Sequence, residues 1–414
     1  MIGVAPSGYR LRWADPSDAS DVDALAELAD LGHGADEADG HAPWVAEGVR
    51  ASLSPDRAVD VHFVMAEHEA TGAAASMASI IPQTWTVGGH PVRIARLESF
   101  ATLPGHRRRG LVRATIGALH RRGDELGCTV RAISGLPWFY RQFGYDYALE
   151  HEGGWGVAFA DEPADVALRP LAADDVEHSA ALYEQAGRES YAWCPRDPAF
   201  WKAVVTSGGT DGADGAERWL AVDRAGELVG YLVHRVRGTS GAVVVPELEL
   251  ADRTVFGPGL VAALRQVAPA AAGVYFQLGS SHPLYDHWTG CDLAVRPHAW
   301  FVSVPDWAAL FTAIEPCVGG FGGELRISEY TSGVRLRFED GRWAAAEPWS
   351  PVAAGPSEPA SAAFPPGTLA KLVLGYRSLD QLLEAYPDCE AGGEAADVLR
   401  ALFPPRWSHV RAMQ

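Results

Sequence analysis

The chain has few cysteines and no two of them close together: Cys128, Cys194, Cys291, Cys317 and Cys389 are widely spaced, with no C-x-x-C pair. That spacing supports neither a disulfide framework nor a zinc cluster, and it fits a reducing cytosol. Basic residues are also scarce, 34 Lys and Arg against 53 Asp and Glu, for a formal charge of -19. A nucleic-acid partner, which needs a basic face for its phosphates, is disfavoured. Cationic amines would be attracted, although acidity of this kind also serves solubility alone. No apolar run is long enough to span a bilayer, and Met1 to Pro6 lacks a basic segment leading into an apolar one. Neither membrane insertion nor secretion is expected. G-x-S-x-G, Walker and H-E-x-x-H motifs are absent, and His282 and His287 do not have a metal-binding spacing. Hydrolase, NTPase and zinc-protease chemistry lack support, and no metal is expected.

At 414 residues the chain exceeds what one core ordinarily holds, and 48% apolar with 21% charged residues is the balance of packed domains. Two or three domains are therefore expected. Tyr9, Leu11 and Trp13 alternate with arginines as in a half-buried strand. Asp15-Pro16-Ser17-Asp18 then opens a helix carrying Val22, Leu25, Leu28 and Ala29, with Gly32 as its expected C-cap. His62 to Ala66, Ala73 to Ile80 and the run to Thr102 read as an antiparallel meander. Leu111 to Leu126 shows helical spacing and hands over to a β-rich segment, Thr129 to Ile133. Pro137 to Gly144 reads as a short helical stretch, with Tyr145 to Leu149 alternating after it.

Beyond about residue 158 a similar order returns: a strand at Val166 to Arg169, a helix near Ala180 to Glu184, and a hairpin from Trp219 to Val233 turning at Ala225-Gly226. Ser134 to Leu149 matches Ser280 to Val295, setting Pro137, Tyr140, Phe143 and Gly144 beside Pro283, Tyr285, Trp288 and Gly290 with small gaps. The helix of this second copy opens with Phe256-Gly257-Pro258-Gly259 and has no arginine-rich loop, so the copy reads as catalytically empty. From about Pro305 the pattern changes to a helix at Trp307 to Ile314, strands at Gly323 to Tyr330 and Val334 to Phe338, and an Asp340-Gly341 turn. Ser350 to Gly367 reads as an exposed connector, Leu369 to Leu374 and Glu394 to Phe403 as closing helices, and Trp407 to Gln414 as an extended tail. These shifts divide the α+β chain into residues 1–157, 158–304 and 305–414.

Arg107-Arg108-Arg109-Gly110 lies where a strand gives way to a helix. Free backbone N–H groups and the positive end of a helix dipole suit a pyrophosphate there, and the arginines add charge. A solvated basic turn is the alternative. Asp30, Asp36, Glu37 and Asp39 could attract an ammonium, although a solvated acidic loop accounts for them as well.

The string T-L-P-G-H-R-R-R-G-L-V-R-A at Thr102 to Ala114, with F-Y-R-Q-F-G-Y-D-Y-A at Phe139 to Ala148, resembles the GNAT acetyltransferases and, more closely, their enhanced intracellular survival (Eis) branch. The general loop ends in Gly or Ala where Val112 stands here, a departure that the Eis-like branch shares. The resemblance implies tandem GNAT folds, the second degenerate, followed by a sterol-carrier-like C-terminal domain. It implies an acetyl-CoA site at Arg108, Arg109, Gly110, Leu111, Val112 and Arg113. The pantetheine arm would lie beside Phe100, Ala101 and Thr102, with Ser134 and Gly135 bordering the opening between strands. Tyr140 would be the general acid and the terminal carboxylate of Gln414 the general base. The implied protein is a cytoplasmic N-acetyltransferase that transfers acetyl from acetyl-CoA to a primary amine, an aminoglycoside-like polyamine or a lysine, and assembles as a homohexamer. The alternative is a non-catalytic, acyl-CoA-sensing carrier protein for lipid or sterol.

Overall fold

The computed structural model describes residues 3–36, 40–55, 57, 59–207, 217–237, 242–295, 298–355, 358–408 and 410–411. Three mixed or antiparallel sheets, of eight, seven and five strands, organise it.

The first sheet is built from β1 (Tyr9–Trp13), β2 (His62–His68), β3 (Ala74–Val87), β4 (His90–Thr102), β5 (Val130–Ile133) and β6 (Asp146–His151). β1 to β4 pair antiparallel in sequence order, and β5 joins β4 in parallel. A parallel neighbour needs a crossover, and α3 (Leu111–Glu125) supplies it. Leu111, Ile116 and Leu119 on its buried face pack with Ile80, Ala95 and Leu97. The opposite face of the sheet is covered by α1 (Ala19–His33) and α2 (Pro43–Leu53), through Leu25, Leu28, Val49 and Leu53. Each large apolar side chain so buried contributes roughly 1.5–3 kcal/mol. Asp18 caps α1 by accepting from the Ser20 amide, a contact of about 1 kcal/mol. The helix runs two residues past the expected left-handed stop at Gly32, and its cap, Gly34, has an ordinary φ of -73°.

The second sheet repeats this order. Ala167–Pro170, Arg218–Arg224, Glu227–Arg237 and Ala242–Leu250 pair antiparallel, and Gly273–Phe276 joins the last in parallel. Its crossover helix, Pro258–Val267, packs Leu260, Ala263 and Leu264 against Val243, Val245 and Phe276. The hairpin turn falls at Ala225-Gly226, both with positive φ.

The two sheets then exchange strands. β7 (Gly154–Ala158) leaves the first sheet and pairs with Gly273–Phe276 and Leu293–Val295 of the second. Reciprocally, His298–Ser303 enters the first sheet between β5 and β6. The expected boundary at 157/158 therefore falls within β7, and that at 304/305 just after the strand His298–Ser303, each strand belonging to the neighbouring sheet.

The third unit carries its helix at Trp307–Ile314 and strands at Gly323–Ser328 and Gly333–Glu339, together with Arg342–Trp349, which the sequence pattern did not separate. Ser350 to Gly367 is more than an exposed connector: Ala362–Ala363 pairs with Ile327–Ser328, and Phe364 is fully buried. Its core is continuous with the first sheet, since Trp85 and Trp300 join Phe311, Phe364 and Phe403 in one cluster.

Because β5 and β6 meet only through His298–Ser303, residues 1–157 expressed alone should lack near-ultraviolet circular dichroism and bind a hydrophobic dye. The full chain should show neither defect. A cooperatively folded 1–157 fragment would contradict this dependence.

Candidate active site

β4 and β5 pair only from Ile94 and Val130 to Arg96 and Ala132; past that point no partner pairs are formed between them, and β4 continues to Thr102. A bulge at Ser99 and Phe100 drives the divergence. Glu98 opposes Ser79 and Ala101 opposes Met77, so two β4 residues face the single Ala78, and Ser99 takes a φ of 55°. Such an extra residue bends a strand and redirects its side chains.

Into the opening comes the loop before α3. Arg108 and Gly110 both adopt positive φ, 61° and 80°. No side chain caps α3, so the first-turn amides of Leu111, Val112 and Arg113 keep their donor capacity for a ligand. Arg107 Nε donates to the Thr102 carbonyl at 3.2 Å, which ties the loop to the end of β4. Arg113 donates to Gln142 Oε1 at 3.2 Å and lies over the Phe143 ring, linking α3 to the turn that carries Tyr140. Anchoring, uncapped amides and charge are together the features that suit a phosphate-bearing ligand.

Tyr140 lies in the single-turn segment Phe139–Phe143, which begins after Trp138 at a φ of 69° and ends at Gly144 in the left-handed region. Its ring packs edge-on against Phe100, Phe139, Tyr145 and Phe301 and is 4% exposed. Burial, reinforced by the Glu98 carboxylate, pushes the phenol well above its ordinary range. The hydroxyl therefore keeps its proton at neutral pH and can donate it. Gly135 makes room for the ring: a Cβ there would come within 2.3 Å of Tyr140 Cε2.

A cavity of about 890 Å³ joins these parts. Phe100, Ala101, Thr102, Arg108, Gly110, Leu111, Val112, Arg113, Ser134, Gly135 and Tyr140 all line it. Arg109 does not, and its guanidinium instead reaches the Gly105 carbonyl at 3.4 Å. Gln414 is outside the described residues, as are Glu37 and Asp39. Asp30 accepts from His41 and from the Ala42 amide and so holds its own loop together. Glu98, His33, His106, Gln142 and Phe143 also border the cavity, and sequence reading singled out none of them for the site. Glu98 is paired with Arg96 at 2.6 Å and sets a carboxylate near Tyr140. The parting of β4 from β5 that leaves Glu98 at the cavity has no sequence signature. Among the described residues no group of side chains could hold a metal ion, and no helix is long and apolar enough to cross a membrane.

Residues 15–148 match the acetyltransferase (GNAT) domain family. No curated protein matches the chain. Solved structures similar along nearly the whole length include a probable N-acyltransferase of Enterococcus faecalis, 14% identical with a TM-score of 0.73, covering 98% of this chain and 100% of that one. A GCN5-related N-acetyltransferase of Anabaena variabilis is 14% identical with a TM-score of 0.71, over 97% and 99% of the two chains. Eis1 of Mycobacterium abscessus is 16% identical with a TM-score of 0.66, over 98% and 100%. The N-terminal unit is thus a GNAT acetyltransferase domain, and the chain is an acyl-CoA-dependent acetyltransferase. Over nearly its full length the fold is similar to that of Eis1.

Gly135→Ala should displace the Tyr140 ring, because overpacking of this kind costs about 1–3 kcal/mol. The expected outcome is a lower melting temperature and at least a tenfold loss of turnover. Gly48→Ala, in an open position on α2, should raise the melting temperature and leave turnover intact. Wild-type turnover in Gly135→Ala would show that the ring's position does not matter.

Proposed function

We propose that this protein moves acetyl from acetyl-CoA to a primary amine of a small polycation, aminoglycoside-like in its charge, or of a lysine, by direct attack within a ternary complex. The observation that carries the reading is the single cavity at the β4/β5 opening, which has uncapped α3 amides at one end and a buried, protonated Tyr140 at the other. In this reading Arg108, Arg113 and the first turn of α3 hold the pyrophosphate, while Arg109 adds charge from outside the cavity. The pantetheine arm lies along Phe100 to Thr102 and completes the hydrogen bonding that β5 abandons. Ser134 and Gly135 border the thioester.

The amine attacks the thioester carbon and Tyr140 protonates the departing thiolate. The terminal carboxylate of Gln414 takes the amine's proton, a role supported by the Eis-like resemblance. Glu98 and the acidic surface favour a cationic acceptor. The resemblance also supports a cytoplasmic homohexamer and a sterol-carrier-like third domain.

Positioned acid catalysis contributes about 10²–10⁴-fold. Tyr140→Phe should lower kcat by roughly that factor with acetyl-CoA affinity unchanged, read as amine-dependent thiol release. One residue added after Gln414 should lower kcat in the same way. Wild-type turnover in both variants would sink the assigned acid and base.

A further inference from the structure

The second sheet has the same strand opening as the first, and what lies in it is the chain's own tail. Its parallel ladder ends at Val245 and Phe276, as the first ends at Arg96 and Ala132. Counting onward from these ends, Glu247 stands where Glu98 stands, and Gly279 where Gly135 stands. In the first unit the opening leads to about 890 Å³ of free space. In the second, Ser408, Val410 and Arg411 close over Pro246, Gln277 and Gly279 and leave about 30 Å³, room for roughly one water. An outer hollow of about 430 Å³ survives beyond Trp407, bordered by Glu189, Glu249 and Asp252 and by His282, His287 and Arg253, whose guanidinium is already paired with Glu189. That lining does not suit a phosphate. The N-terminus of the second unit's crossover helix is closed as well, since Asp165 crowds Gly259 where the first unit offers free amides.

The tail is gripped by charge. Glu247 is wholly buried and accepts from Arg196 at 2.6 and 2.7 Å, from the Tyr231 hydroxyl at 2.7 Å and from Arg411 Nε at 2.7 Å. Burial would push this carboxyl up, but the two guanidiniums and the phenol outweigh it and hold it at about 2, so it stays ionised. Arg411 also reaches Glu217 at 2.7 Å. Upstream, Trp407 packs edge-on to His282, and its carbonyl accepts from the Tyr191 amide at 2.9 Å. Trp300, of the first sheet, donates to the Val410 carbonyl at 3.2 Å, so the clamp sits at the seam of both sheets.

We infer that the second unit's cleft is a binding site for the C-terminal segment, and that Arg411 is a positioning residue fixing the chain's end relative to the first unit's cavity. The inference deepens the proposed function: it rests on that reading only in linking the clamp to turnover. A second unit that cannot bind CoA thereby acquires a use, as the fixed mount for a segment that would otherwise fray.

The test compares wild type with Arg411→Met and Arg411→Lys in the full-length chain. It reads amide exchange of the peptide spanning residues 403–411, kcat for an amine acceptor, and acetyl-CoA affinity. Arg411→Met should speed exchange of that peptide at least tenfold, leave acetyl-CoA affinity unchanged and lower kcat at least tenfold, with partial recovery in Arg411→Lys. Faster exchange with unchanged kcat would keep the clamp and remove the terminal carboxylate from the mechanism. Unchanged exchange would overturn the clamp whatever kcat does. Should Arg411→Met fail to fold, Glu217→Gln removes only the half-exposed partner and gives the same readings in smaller degree.

Discussion

The structure turns on a place where two strands stop pairing. Parallel strands usually continue their ladder, because an unpaired buried amide or carbonyl costs as much as a lost hydrogen bond. β4 and β5 part after Arg96 and Ala132, and the bulge at Ser99 and Phe100 directs β4 away. The backbone groups left without a partner strand, the first turn of α3 and the Tyr140 ring all face the space that opens. The site is thus a consequence of interrupted pairing, and its chemistry depends on what fills the gap.

The same interruption occurs twice, with opposite outcomes. In the first unit the gap stays open, with arginines and free amides at its mouth. In the second it holds Arg411, and the helix N-terminus faces Asp165. The strand exchange between the sheets makes the two units mechanically inseparable, so the second is needed for the first to fold whatever its own cleft holds. A buried charge cluster such as Arg196, Glu247 and Arg411 is weak evidence for stability, since desolvation offsets much of its Coulombic gain. Its value lies in fixing one geometry for the tail.

Sequence reading recovered what local periodicity and turn chemistry encode. The Trp307–Ile314 helix, the Ala225-Gly226 and Asp340-Gly341 turns and the repeated element order were all legible, because each follows from a short pattern of burial or positive φ. The loop from Arg107 to Gly110 read as an anion site from its residues alone, whereas Tyr140 needed the family resemblance. Three features were hidden. The strand exchange is invisible because Gly154–Ala158 and His298–Ser303 are ordinary strands whose partners are chosen by tertiary packing. Glu98 reads as one more residue of a long strand, because its place at the cavity depends on β5 parting from β4. The grip on Arg411 joins positions 164 residues apart by number, Glu247 and Arg411, with no local signal at either.

The most direct measurement is a crystal structure of the protein with acetyl-CoA bound. The expected result is the pyrophosphate on the first turn of α3 and the pantetheine arm between the parted strands, with the sulfur within hydrogen-bonding distance of the Tyr140 hydroxyl. A donor bound in the hollow beside Trp407, or a sulfur far from Tyr140, would contradict it.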